Sequence, residues 1–255
     1  MAKRDELLRL LNSWLRPETF HDSCPNGLQV HGDPDVWRVA TCPSVSEECF
    51  RQAATQGAQM ILVHHGLFWD RPGFVVDEVM RRRLWLLFER GINLVGYHLP
   101  LDAHPELGNN ARLAGEMGLA ELDFDFGLYH GNPIGCVGAL PQGPRLEELA
   151  ARLGAALLCT PYVQGEPTRR VQKVAVIAGG AGDIPFLLDA RARGCEVFVT
   201  GNVFEQSVAV ARELDLALIA LGHYNSEKLG VRALGDRLAA QSDVTVFHLD
   251  VPNPI

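Results

Sequence analysis

The chain has 255 residues, of which 47% are hydrophobic and 21% charged, and its formal net charge is −8. This is the composition of a globular protein that can bury one large core or two smaller ones. The acidic balance argues against nucleic acid as a partner, because phosphate binding requires a basic face. No apolar run reaches the roughly 18 residues that cross a bilayer, which argues against a membrane protein.

The first segment, MAKRDELLRLLNSWL, mixes charged residues into a helical apolar period and lacks a small-residue cleavage site. We therefore predict a first helix and not a signal peptide. The six cysteines form no CxxC pair and have no zinc-site spacing. Together these features predict a cytoplasmic protein with reduced thiols.

Short apolar runs then alternate with helical patterns along the chain. The predicted strands are VWRVATCPSV (36–45), AQMILVHH (58–65), GINLVGYH (91–98), VQKVAVIAG (171–179), CEVFVTGN (195–202) and LALIALGH (216–223). The predicted helices are SEECFRQAATQG (46–57), VVDEVMRRRLWLLFERG (75–91) and FEQSVAVARELD (204–215). Repeated strand–helix–strand units predict an α/β fold with largely parallel sheets flanked by helices.

Two stretches share a layout in which a glycine precedes a strand and polar residues follow it: QGAQMILVHHG (56–66) and RGCEVFVTGNV (193–203). Glycine-ended helices that lead into strands are common, so chance could produce this match. The downstream residues also match, however, because each stretch is followed by a histidine four residues before a carboxylate. We therefore predict two α/β halves of similar topology that arose by duplication.

The stretch GLYHGNPIGCVGALPQGP (127–144) is rich in glycine and proline, which is typical of a passage between halves. The predicted division is a first half at 1–126 and a second half at 127–255. The first half carries His64, His65 and Asp102, and the second carries the remaining candidate ligands.

The candidate ligands lie at predicted strand ends, where open α/β sheets gather their functional side chains. His64 and His65 end one strand, and the two histidine–carboxylate steps follow two others: His98 with Asp102, and His223 with Glu227. A single histidine at a strand end is most often a hydrogen-bonded structural residue. The recurrence of histidines and carboxylates at equivalent strand ends instead predicts a metal site.

These residue types suit two divalent cations. Neutral imidazole binds zinc, iron, nickel or manganese, and a carboxylate can bridge two ions. Two cations roughly 3.5–4 Å apart repel each other, and a bridging carboxylate reduces that repulsion. Five side chains do not saturate two metals, and open positions are typical of a catalytic site.

Four longer stretches resemble a known family: DSCPNGLQVHG (22–32), ILVHHGLFW (61–69), GYHLPLDAHPELGNNARLAGEMG (96–118) and LGHYNSEKLGVRAL (221–234). Over essentially its whole length the chain is similar to the GTP cyclohydrolase 1 type 2 homologues. These are also called the NGG-one-interacting-factor-three family or dinuclear metal centre hexamer proteins. The length matches the short bacterial form.

The resemblance implies two interlinked α/β halves and a toroidal homohexamer with paired metals facing its interior. It also implies a ligand set: Asp102 joins His65 on one metal, His223 joins His64 on the other, and Glu227 bridges them. The family carries an acidic residue after Thr-Gly in the second half, where this chain has Asn202. That departure places an acid/base role at this position in doubt, but it touches none of the five ligands.

As an enzyme, the chain would be a metal-dependent hydrolase that activates a metal-bridging water toward a small-molecule substrate, with GTP or another nucleotide as a candidate. The alternative is a non-catalytic metal-binding scaffold, metal chaperone or regulatory protein. His98 is either a general acid/base or a residue that orients the ligands.

Several neighbouring residues allow both a structural and a functional interpretation. For Asn26 and Gln29 a substrate contact or a turn that leads into a strand is open, and for Phe68 and Trp69 stacking on a flat substrate ring or packing in the core. His104 is interpreted as a structural capping or loop residue, and Asn109 and Asn110 as caps of the helix that follows.

Overall fold

Strands and helices alternate along residues 1–70 and 75–255, which the computed structural model describes. Up to residue 102 the elements are β1 (Ala2–Lys3), α1 (Arg4–Leu15), a 3-10 helix (Pro17–Thr19), β2 (Gly27–Val30), β3 (Asp35–Val36), β4 (Arg38–Ser44), α2 (Glu47–Thr55), β5 (Met60–His65), α3 (Glu78–Glu89), β6 (Asn93–Gly96) and α4 (Leu99–Asp102). The remaining elements are α5 (Asn109–Met117), β7 (Ala120–Tyr129), β8 (Asn132–Ala139), α6 (Leu146–Leu157), β9 (Tyr162–Gln164), β10 (Lys173–Ile177), α7 (Ile184–Ala192), β11 (Val197–Thr200), α8 (Glu205–Glu213), β12 (Ala217–Ala220), α9 (His223–Gln241) and β13 (Thr245–His248).

These elements pack as two units. The first comprises Met1–Leu101 and Gly230–Pro252, and the second comprises Asp102–Leu229 and Asn253–Ile255. The chain therefore passes between the units three times: inside α4, inside α9 and after Pro252. Within the described residues, no helix is long and apolar enough to cross a membrane.

The first unit contains a five-stranded sheet in the order β13-β4-β5-β6-β2, and β1 pairs with β3 in a separate ribbon. Strands β13, β4, β5 and β6 run parallel, while β2 is antiparallel to β6. Apolar side chains from these strands and from α2 and α3 form its core, including Ile61, Val63 and Leu94. The continuous apolar runs in β5 and β6 are therefore buried as the sequence predicted.

The second unit contains a six-stranded sheet in the order β7-β8-β10-β11-β12-β9. Its three central strands, β10, β11 and β12, are parallel, while β8 and β9 are antiparallel to their neighbours. Its core includes Val174, Val199 and Ile219, packed with apolar residues of α5 and α6. Both sheets thus carry three consecutive parallel strands joined by two helices, next to an earlier antiparallel strand.

This shared order confirms the predicted α/β fold with similar topology in the two parts. The division of the chain differs from the predicted one at residue 127. Residues 127–144 form mostly the end of β7, a turn and β8, which pair as an antiparallel hairpin inside the second sheet. Their glycines and prolines lie in this hairpin and in the turn after it. Asp102, which the predicted division places in the first half, belongs to the second unit.

Local sequence signals account for where the crossover helices begin. Ser46 precedes α2, and its hydroxyl accepts a hydrogen bond from the Cys49 amide at 3.0 Å. Asp77 precedes α3 and accepts from the Met80 amide at 2.8 Å. Such caps satisfy amides that the first helical turn leaves without a backbone partner. They fix the start of the helices that lead into β5 and β6.

Candidate metal centre

Three histidines of the first unit lie together beyond the carboxyl ends of two parallel strands. His64 and His65 end β5, and His98 follows the neighbouring strand β6. One ring nitrogen from each lies within 4.8 Å of the others, a spacing that could hold a metal ion. The edge of a parallel sheet therefore gathers the imidazoles that the sequence placed at its strand ends.

Each of these rings is held through Nδ1 by a neighbour in the same unit. The contacts are His64 to the Tyr97 carbonyl oxygen at 3.0 Å, His65 to Ser44 Oγ at 2.8 Å and His98 to Asp22 Oδ1 at 2.8 Å. Metal-binding histidines are typically fixed in this way, with the second nitrogen hydrogen-bonded to a carbonyl, carboxylate or similar group. The rings are therefore oriented so that Nε2 is the nitrogen through which each would bind a cation.

The carboxylate of Asp22 is the centre of a small network that includes His98. Besides the His98 ring, it accepts hydrogen bonds from the Cys24 amide at 3.1 Å, the Leu99 amide at 2.9 Å and Asn26 Nδ2 at 3.0 Å. Burial raises the pKa of Asp22. The hydrogen bond from His98 and the charge of that ring oppose this effect, as do the hydrogen bonds from Asn26 and Cys24, and together they lower the pKa to about 2. Asp22 is therefore ionised at neutral pH.

Asn26, just before β2, and Gln29, within β2, both have structural partners. Asn26 Oδ1 accepts from the His98 amide at 2.8 Å. Gln29 donates to the Pro25 carbonyl at 2.7 Å and accepts from the Leu67 amide at 2.7 Å. These contacts favour the structural interpretation of the loop, which holds the segments that carry the histidines.

An aromatic ring also stands beside the histidines. The Trp69 ring centroid lies 5.1 Å from that of His98 in an edge-to-face arrangement and 6.0 Å from that of His65. Its indole nitrogen donates to the Gly66 carbonyl at 3.1 Å, which fixes the ring. Trp69 thus packs against the candidate ligands, as its position four residues after His65 allows.

In the second unit, carboxylates and a histidine lie at the start of α9 and the end of α4. His223 Nε2 is 3.1 Å from Glu227 Oε2, one helical turn away. One carboxylate oxygen of Asp102 lies within 4.8 Å of one from Glu227, and both side chains are buried. Asn109 Nδ2 donates to Asp102 Oδ1 at 2.8 Å and holds that carboxylate.

Gly179, just after β10, is required for the approach of Glu227. Its φ of +69° lies in the left-handed region, and a Cβ atom there would stand 2.0 Å from Glu227 Oε1. The Gly179 amide donates to Ser226 Oγ at 2.9 Å, and Ser226 Oγ donates to the His223 carbonyl at 2.9 Å. The loop after β10 therefore fastens the start of α9, whose first two turns carry both candidate ligands.

Asn202 contacts a candidate ligand, although this departure from the family leaves the five candidate ligands themselves unchanged. Asn202 Oδ1 lies 2.8 Å from Nδ1 of His223. Asn202 lies just after the strand β11 of the second sheet, and His65 lies at the end of the strand β5 of the first sheet. The two residues therefore occupy corresponding positions in the two sheets. An amide oxygen at this position can hold the His223 ring with Nδ1 as donor.

The other open residues also have structural partners. Gly108 caps α5, and Asn109 and Asn110 lie inside the helix. Asn110 accepts from the Ala178 amide at 2.7 Å and donates to the Ile134 carbonyl at 2.5 Å. His104 Nδ1 accepts from the amides of Glu106 and Leu107, which agrees with a structural role. Sequence reasoning did not single out Asp22, although this residue begins the family-like stretch at 22–32.

These observations define an α/β protein with imidazole and carboxylate groups that could hold a metal. Comparison with known proteins gives the family. The Duf34/NIF3 (NGG1p interacting factor 3) family model matches residues 2–254, and the chain belongs to this family. The resemblance found from sequence motifs is thereby confirmed.

Curated relatives and solved structures agree over the full length. The chain is 39% identical to a protein of Yersinia pestis over 98% of each, and 38% identical to one of Escherichia coli K12 over 99% of each; both are called "GTP cyclohydrolase 1 type 2 homolog". The solved structure of protein ybgI, described as of unknown function, has 38% identity and a TM-score of 0.92 over both complete chains. TTHA1606 from Thermus thermophilus has 35% identity and a TM-score of 0.86, also over both complete chains.

Proposed function

We propose that the chain binds two divalent metal cations and is a metal-dependent hydrolase of the GTP cyclohydrolase 1 type 2-like kind. The proposed ligands are His64, His65, Asp102, His223 and Glu227, of which Glu227 would be the carboxylate shared by the two cations.

The chemistry of the donors carries this proposal. Imidazole nitrogen with carboxylate oxygen suits zinc, iron, manganese or nickel. Within each unit the donors are held by neighbouring groups, as with His64 on the Tyr97 carbonyl and Asp102 on Asn109. Such support is typical of metal ligands, since it fixes their orientation before the ion arrives.

The remaining side chains suit hydrolysis. When bound, the two cations would supply Lewis acidity, which polarises a substrate oxygen and lowers the pKa of water. Beside the ligands, His98 would carry a proton between the nucleophile and the leaving group. Trp69, which packs on His98 and His65, would exclude water from one side of the imidazoles.

The substrate we propose is a small molecule, and the name shared by the relatives makes GTP or another nucleotide the first candidate. The sequence carries no GxxxxGK[ST] loop, so a nucleotide would be bound without that phosphate cradle. The −8 net charge speaks against a nucleic acid substrate.

Metal content tests the ligand assignment. Protein purified without chelator should approach two ions per chain by elemental analysis, as expected for a two-metal site. Glu227→Ala should lose most of both ions, because it removes the bridging carboxylate between two cations. Glu213→Ala, an exposed change at the end of α8, is the matched control. Wild-type metal content in Glu227→Ala would refute the bridge.

Turnover separates the hydrolase from a metal-binding scaffold, metal chaperone or regulatory protein. Metal-reconstituted protein is screened against nucleotides and phosphoesters, with Glu227→Ala as the blank. Hydrolysis by the wild type that the blank lacks supports the enzyme. A fully metal-loaded chain that turns over none of these compounds would favour the scaffold.

We also propose a cytoplasmic, toroidal homohexamer. All six cysteines carry free thiols, which agrees with a reducing compartment. Light scattering should give a mass about six times the 28.0 kDa of one chain. A monomer in solution would remove the hexamer from the proposal without affecting the ligand set inside one chain.

A further inference from the structure

We propose that Asp22 is a positioning residue that fixes His98 in one tautomer, with hydrogen on Nδ1 and the lone pair of Nε2 available to a reacting group. This inference rests on the proposed function for its chemical consequence. The arrangement itself stands on contacts within the first unit: Asp22 and His98 are 76 residues apart in sequence, and their side chains meet at 2.8 Å.

The donors around Asp22 determine where the hydrogen lies. Cys24 and Leu99 contribute backbone amides and Asn26 contributes its side-chain amide, so these three groups donate to the carboxylate. An ionised carboxylate only accepts hydrogen bonds. The fourth partner, His98 Nδ1, must therefore donate as well, which leaves Nε2 without a hydrogen in the neutral ring.

The main chain on both sides of His98 is fixed by the same loop. The His98 amide donates to Asn26 Oδ1 at 2.8 Å, and the next amide, of Leu99, donates to Asp22 Oδ2 at 2.9 Å. The Trp69 ring packs edge-to-face on the imidazole. The ring is therefore constrained in position and rotation, with Nδ1 toward Asp22 and the opposite edge available to the site.

The anchor of His98 differs in chemistry from those of its neighbours. Nδ1 of His64 meets a main-chain carbonyl and that of His65 a hydroxyl, whereas that of His98 meets a carboxylate. A charged carboxylate accepts a stronger hydrogen bond than a neutral oxygen does, so the tautomer of this ring is the one held most firmly.

The tautomer sets the direction of the first proton transfer. The nucleophile's O–H bond would break with its proton passing to Nε2 of His98, while the oxygen forms its bond to the electrophilic atom. The leaving group would then take that proton from Nε2 as its own bond breaks. Asp22 stays ionised throughout, and the ring returns to its starting form. His98 thus begins as a base.

Nitrogen NMR of full-length protein labelled with ¹⁵N-histidine tests this directly. Two-bond ¹H–¹⁵N correlations distinguish the two neutral tautomers, and His98→Gln identifies the His98 signals by their loss. We expect wild-type His98, in metal-free protein, to carry its hydrogen on Nδ1. A wild-type ring with hydrogen on Nε2 would overturn the proposal, and this measurement needs no variant at Asp22.

Asp22→Asn supplies the second arm, with Asp77→Asn at the cap of α3 as the matched control. In asparagine, an NH₂ group that donates takes the place of one accepting oxygen of Asp22. All four partners of the Asp22 carboxylate donate hydrogen bonds, so the asparagine amide cannot accept from all of them. We expect the Nε2–H form of His98, absent from wild type, to appear in Asp22→Asn and to stay absent in Asp77→Asn. An unchanged His98 tautomer in folded Asp22→Asn would refute the role of Asp22.

Zinc binding to the same samples keeps the two proposals apart. A wild-type chain that binds no Zn²⁺ but has His98 protonated on Nδ1 would overturn the proposed metal centre and support the positioning role. Two bound Zn²⁺ per chain with hydrogen on Nε2 would support the metal centre and overturn the role of Asp22.

Discussion

Replacing Asn110 by leucine tests whether one buried amide supports both the second unit and its candidate ligands. Asn110 lies in the first turn of α5 and is fully buried. Its side chain accepts from the Ala178 amide at 2.7 Å and donates to the carbonyls of Ile134 at 2.5 Å and Asp102 at 3.3 Å. Leucine has a similar size but can form none of these bonds.

The expected loss of stability follows from the groups that lose their partner. The Ala178 amide and the Ile134 carbonyl would each lose a short hydrogen bond, and each unsatisfied buried group costs about 1–3 kcal/mol. The bond to the Asp102 carbonyl, at 3.3 Å, is longer and is left out of this sum, although it restrains the Asp102 main chain. The free energy of unfolding should therefore fall by roughly 2–6 kcal/mol, a large share of the 5–15 kcal/mol typical of a domain.

Urea unfolding followed by circular dichroism measures this loss, and Asn93→Leu provides a matched comparison. Asn93 is equally buried in the first unit and also makes three hydrogen bonds, to Gly32, Asp33 and Gln59. Both variants should lose stability by similar amounts. Asn110→Leu should also weaken metal binding, because Asn110 holds the main chain of Asp102, whereas folded Asn93→Leu should bind metal as the wild type does.

Two outcomes would refute this reasoning. A stability loss below about 1 kcal/mol in Asn110→Leu would mean that the two backbone groups find other partners. Equal metal affinity in Asn110→Leu and Asn93→Leu would show that Asp102 does not depend on Asn110.

Two further predictions concern residues that hold the histidines. Asn202→Ala should weaken metal binding by about 10- to 100-fold, because the His223 ring loses its partner at Nδ1, and competition with a chromophoric chelator would measure it; unchanged affinity would contradict the role of Asn202. The pKa of Asp22 is lowered from 3.8 to about 2. The ionised carboxylate therefore stabilises the fold fully above pH 3.8, and this stabilisation is lost as the pH falls toward about 2. The stability difference between wild type and Asp22→Asn, measured by urea unfolding at several pH values, should therefore shrink below about pH 4, and a difference that grows there would contradict the assigned sign.

Sequence periodicity was sufficient for the central parallel strands because those strands are buried, but it did not identify the outer strands such as β7 and β8. Continuous apolar runs ending in polar residues identify parallel strands covered on both faces, and β5, β6, β10, β11 and β12 follow that pattern. The polar residues after them, such as His64 and His98, then lie at one sheet edge by topology alone. This is why the candidate ligands could be chosen before any coordinates.

The groups that hold those ligands could not be chosen in the same way. Asp22 and His98 are 76 residues apart, and Asn110 and Ala178 are 68 apart, so no local spacing relates them. The role of Asn202 was missed for a related reason. It was judged by what the family has at that position, whereas its effect depends on the ring of His223 that packs beside it.

The different anchors of the histidines have a consequence for how the protein tolerates sequence drift. His64 is held by the main-chain oxygen of Tyr97, which every amino acid supplies, so replacing that side chain leaves the hydrogen bond available. His65 and His98 depend on the side chains of Ser44 and Asp22, which a single codon change can remove. Mutational robustness is therefore unequal among three adjacent rings. Random mutation at the anchor positions should disturb His65 and His98 long before it disturbs His64.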